Sequence, residues 1–81
     1  MSIKILVILS YLLSNGTPYQ HNYTEFVPKN LPFLDRCKLA GFMALSEALS
    51  IPKDELSKHA DEIKSHKPQW ACTELGVVQN I

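Results

Sequence analysis

Apolar residues crowd the beginning of this chain. From Ile3 to Leu13 only Lys4 and Ser10 interrupt a run of Ile, Leu, Val and Tyr, and Ser14-Asn15-Gly16 closes it. A helix needs about 20 apolar residues to cross a bilayer, so the run is too short for a transmembrane helix. Two readings stand. One is a central strand with both faces apolar. The other is a secretory signal, with residues 1–16 removed by a cut before Thr17; Lys4 ahead of the run and the small residues Ser14 and Gly16 suit it. Asn15-Gly16 is a turn signal between extended segments and favours the strand.

Beyond the turn, which spans Asn15 to Gln20, His21–Val27 reads as a second strand. Tyr23 and Thr24 favour extended backbone, and Pro28 ends the ladder because it has no N–H to donate. Asn30 is placed to cap a helix that tolerates Pro32 in its first turn and runs to Leu49. At about 100° per residue its apolar arc holds Phe33, Leu34, Cys37, Ala40, Gly41, Phe42, Ala44, Leu45, Ala48 and Leu49. Asp35, Arg36, Ser46 and Glu47 lie opposite. Leu39 and Met43 fall on that otherwise polar side.

Ser50-Ile51-Pro52 breaks the helix, and a second one is predicted over Pro52–His66 with a narrow stripe of Leu56, Ala60 and Ile63. Pro68 stops it. Gln69–Leu75 alternates as a third strand, with Gly76 marking a bulge and Val77-Val78 extending it. The expected fold is α+β in the order β-β-α-α-β: a single domain over 1–81, with a three-stranded antiparallel sheet covered on one face by helices.

Charge narrows the function classes. Eight basic residues balance eight acidic ones, which speaks against nucleic-acid binding and against electrostatic attachment to a membrane. Half of the charges lie between Lys53 and Lys67, so that segment reads as solvated surface. The three glycines are isolated, so there is no phosphate loop, and no paired carboxylates flank a predicted cleft. His59 and His66 each follow a glutamate four positions earlier and read as solvated helix surface. Asn15-Gly16-Thr17 and Asn22-Tyr23-Thr24 match the glycosylation acceptor pattern, but turn and strand chemistry account for both.

Cys37 faces inward on the first helix, and Cys72 lies in the strand expected beneath it. A disulfide between them would close a loop of some 35 residues. It would contribute about 3–4 kcal/mol, a large share for so small a core. The alternatives are two buried free thiols, a zinc site completed by two of His21, His59 and His66, or a Cys–His nucleophile. The spacing matches no zinc pattern, and nothing local would depress a thiol pKa. No catalytic residue, cofactor or metal ligand is predicted. Leu39 and Met43 are the candidate contact surface for a protein partner or a second copy, unless the second helix folds back and covers them with Leu56 and Ile63.

Lys4 followed by Ile5–Leu9, Cys37-Lys38-Leu39-Ala40 at the helix start and Trp70-Ala71-Cys72 in the last strand together resemble small phage- and prophage-encoded accessory proteins. That resemblance implies a non-enzymatic role, binding and neutralising a host protein in the host cytoplasm. The alternative is a secreted or periplasmic protein, stapled by its disulfide and freed of its first sixteen residues.

Overall fold

The computed structural model describes residues 1–78. Its elements are β1 (Ser2–Leu12), β2 (Pro18–Pro28), α1 (Phe33–Leu49), a 3-10 helix over Lys53–His59 that leads into α2 (Ala60–Ser65), and β3 (Gln69–Val78). The strands form one antiparallel sheet in the order β2-β1-β3, with α1 packed across it. This is the expected β-β-α-α-β arrangement.

The opening apolar run is the central strand. Its alternation puts Ile3, Ile5, Val7, Leu9 and Tyr11 beneath α1, where all are buried. The intervening Leu6, Ile8 and Leu12 point to the opposite face and are half-buried, because no helix covers that side. Both other strands pair with β1 along most of its length. A chain starting at Thr17 would therefore lose the strand that joins its two neighbours.

The first hairpin is longer than the pattern predicts. β2 begins at Pro18, a position where a strand tolerates the missing N–H. Tyr19 pairs opposite Tyr11, and their rings meet edge to face at 5.5 Å. His21 then stacks on Tyr19 and meets Tyr23 edge-on, so an aromatic row lengthens the ladder. In the turn, the Asn15 side chain accepts a hydrogen bond from the Thr17 N–H, and Gly16 takes φ 83°.

α1 starts at Phe33, and the capping position falls on Pro32 rather than Asn30, with no side-chain cap. Arg36 orders this entry instead. Its guanidinium donates to the Leu31 carbonyl at 2.6 Å and reaches Glu74 of β3 at 2.7 Å, so it is not a free residue of the polar arc. The face laid on the sheet is narrower than the predicted arc. Ala40, Gly41, Ala44 and Leu45 are buried, whereas Phe33, Leu34 and Phe42 are exposed. Small side chains let the helix backbone come close to the sheet, and the large residues at the margins of the arc are left outside. The helix ends with Ser50 in the left-handed region, φ 56°, and Ile51 tucked into the core.

The second predicted helix is two pieces. Lys53–His59 winds as a 3-10 helix and only Ala60–Ser65 is α-helical, with no buried residue in either. Too little apolar surface is buried here to enforce one regular winding. The end of this arm is pinned by His66, whose Nδ1 lies 2.6 Å from the Leu12 carbonyl and whose own carbonyl accepts from the Leu12 N–H at 2.7 Å. His66 is thus a structural tie rather than solvated surface. His59 pairs with Glu62 at 3.1 Å. β3 carries a register shift opposite Lys4 and Ile5, with Gly76 at φ 140°, as the isolated glycine predicts.

Candidate functional site

Cys37 and Cys72 form a disulfide, with their Cα atoms 5.7 Å apart. The bond ties the first turns of α1 to β3. With both sulfurs engaged, neither cysteine is a thiolate nucleophile or a metal ligand. Among the described residues no group of three or more His, Cys, Asp or Glu is placed to hold a metal ion.

Trp70 completes the same junction. Its indole N–H donates to the Cys37 carbonyl at 3.1 Å, and its ring lies against the backbone of Gly41, leaving no room for a β-carbon. Phe42 meets the ring edge to face at 5.7 Å. Glycine at position 41 is required by this close approach. The apolar arc contained Gly41 but gave no sign of the tryptophan above it.

Leu39 and Met43 occupy one wall of a groove. The arm formed by residues 53–65 stands beside α1 without closing on it, and a trough of about 820 Å³ runs between them. Leu39, Met43 and Leu45 line it from α1, Leu56 and Ile63 from the arm, and Trp70 from β3. Leu39, Met43, Leu56 and Ile63 are each half-buried. Leu39, Met43 and Ile63 also pack against the core, and Leu56 lines the same trough.

The charges of the arm are sorted about this groove. Residues 53–67 hold four lysines and four carboxylates, yet the lining includes Lys53, Lys64 and Lys67 and none of Asp54, Glu55, Asp61 or Glu62. Periodicity along the arm explains this. The lining positions 53, 56, 57, 60, 63, 64 and 67 recur at steps of one, three or four residues, and no acidic residue is among them. The net neutrality of the chain conceals a locally cationic rim.

A pair of carboxylates also comes together, away from the groove. Glu25 lies on the inward face of β2 between Tyr23 and Val27 and is only 5% exposed. It faces Glu47 near the end of α1, and its Oε2 has no hydrogen-bond partner among the described residues. Burial pushes the Glu25 carboxyl up to about 7, the hydrogen bond and charge of Glu47 push the same way, and Lys53 opposes them. The strand alternation could have revealed this residue, because an acid at an inward position needs a partner or a proton. Neither Glu25 nor Glu47 lines the groove. Burial also raises the Tyr11 and Tyr23 hydroxyls above their usual range.

No helix among the described residues is long and apolar enough to cross a membrane. Comparison of the chain with protein-family models, with curated proteins and with solved structures finds no match.

Proposed function

We propose that this is a small non-enzymatic binding protein whose docking surface is the groove between α1 and the 53–65 arm. The observation that carries the reading is an open apolar trough with Leu39 and Met43 on one wall and Leu56 and Ile63 on the other. A volume of about 820 Å³ lined by Leu, Ile, Met and Trp is costly to leave in water and suits insertion of apolar side chains from a partner. Methionine adds adaptability, since its unbranched thioether can repack around different shapes. Neither Glu25 nor Glu47 lines this surface and the thiols are joined, which supports binding over chemistry. Neutralisation of a host protein is the form of this role implied by the resemblance to phage accessory proteins.

The test is a displayed-peptide selection on the wild-type protein, with Met43→Glu and Thr73→Glu as comparison targets. Met43 lines the groove, whereas Thr73 is exposed in β3. Selected peptides should lose binding by tenfold or more, on the order expected for a charge placed in an apolar contact, on Met43→Glu and keep it on Thr73→Glu. Circular dichroism checks that both variants fold. Peptides that bind all three targets equally would place docking elsewhere.

The disulfide supports a second reading, a secreted or periplasmic protein, since such bonds persist mainly in oxidising compartments.

A further inference from the structure

Residues 53–67, the arm and the two residues after it, hold four lysines and four carboxylates, and of these only Lys53, Lys64 and Lys67 line the groove. We infer that the occupant of the groove is an amphipathic helix whose apolar stripe is flanked by carboxylates. The inference rests on the groove being a docking surface and adds the chemistry of what docks there.

Two features select that occupant. The first is charge. Lys53 starts the arm, Lys64 lies near its end and Lys67 just follows it, so along the chain the lining lysines bracket the apolar residues Leu56, Ala60 and Ile63. A ligand with a single anionic end, such as a fatty acid, engages one end and leaves the other without a partner. A helix with acidic residues before and after its apolar stripe engages both. The second is backbone chemistry. Most of the lining comes from α1 and the arm, whose helical backbones bond internally and offer side chains to an occupant. A segment entering an apolar trough must satisfy its own N–H and C=O groups, and a helix does so within itself. The stripe it needs is one residue every three or four, matching the spacing of Leu39 and Met43 on the facing wall.

The experiment uses three fluorescein-labelled peptides of about four helical turns that share one leucine stripe and differ only in their flanking residues, which are Glu, Gln or Lys. Binding to the full-length protein is followed by anisotropy at low and high salt. The Glu peptide should bind about tenfold more tightly than the Gln peptide, consistent with a few partly exposed ion pairs, and the Lys peptide more weakly than either. High salt should shrink these differences. In a triple variant with Lys53→Gln, Lys64→Gln and Lys67→Gln, the Glu and Gln peptides should bind alike. All three lysines are exposed, and circular dichroism checks that the triple variant stays folded. Equal affinity of the three peptides for the wild-type protein overturns the carboxylate inference and leaves the docking surface standing. Binding of none of them, with dodecanoate displacing an apolar dye from the groove, overturns both. Concentration-dependent dimerisation that Met43→Glu abolishes assigns the groove to a second copy and overturns the inference as well.

Discussion

Glu25 is the residue whose position conflicts most with its chemistry. Folding moves its carboxyl from water to the interface of β2 with α1, opposite Glu47, and raises its pKa to about 7. The folded state therefore holds this proton more tightly than the unfolded chain does. The stability it confers is fully present below the ordinary carboxylate pKa of about 4.3 and is lost as pH rises through about 7. Because water reaches the pair from the exposed Glu47 side, the loss is on the order of 1–2 kcal/mol rather than the full shift converted. Glu25→Gln keeps the shape of the protonated side chain and can donate an amide N–H to Glu47. Urea unfolding at pH 5 and pH 8 should show wild-type stability falling across that interval and the variant nearly level, more stable than wild type at pH 8. Equal slopes for the two proteins would mean that Glu25 does not carry the proton.

At the scale of elements, the contact of α1 with β3 depends on one missing side chain. Alanine at position 41 should help an isolated helix by about 1 kcal/mol. Here its β-carbon would occupy the place of the Trp70 ring, and the disulfide between Cys37 and Cys72 limits how far helix and strand can separate. Trp70 must then tilt away, loosening its bond to the Cys37 carbonyl and its contact with Phe42. Overpacking of this kind costs about 1–3 kcal/mol, so Gly41→Ala should be destabilising despite its propensity gain. Thermal melting and a red-shifted tryptophan emission would report it, whereas a raised Tm would show that the ring is free to move. The elements themselves were largely legible from periodicity: a two-sided apolar run became the central strand, and an isolated glycine became a bulge. The groove was not. Periodicity places Leu56 and Ile63 on one side of their arm, but the gap between that arm and α1 depends on long-range packing, including the His66 tie to Leu12, which no local pattern records. Trp70 above Gly41 was missed for the same reason.

Across the whole molecule, stability has few sources. Beneath α1 the core is one layer of side chains, mainly from β1, and the opposite face of the sheet is uncovered. The 53–65 arm contributes no buried residue. A domain below about 70–80 residues rarely draws more than 3–5 kcal/mol from a single core, and this chain is at that margin. The disulfide joins positions separated by 35 in sequence, and by the chain-entropy relation it disfavours the unfolded state by about 3–4 kcal/mol. That is comparable to everything else holding the fold. For a domain of this size each kcal/mol moves Tm by about 4–8 °C, so reduction should lower Tm by roughly 15–25 °C. Calorimetry with and without a phosphine reductant checks this, and a Cys37→Ser, Cys72→Ser double variant should match the reduced protein if the bond, and not the reagent, is responsible. A drop of that size would leave the reduced protein close to unfolding at physiological temperature, and the groove with it, since Trp70 is held in place beside the bond. Loss of peptide binding on reduction would then make an oxidising setting a requirement for function. Binding that survives reduction would show that the sheet and α1 hold the groove open on their own, which is the condition for work in a reducing cytoplasm.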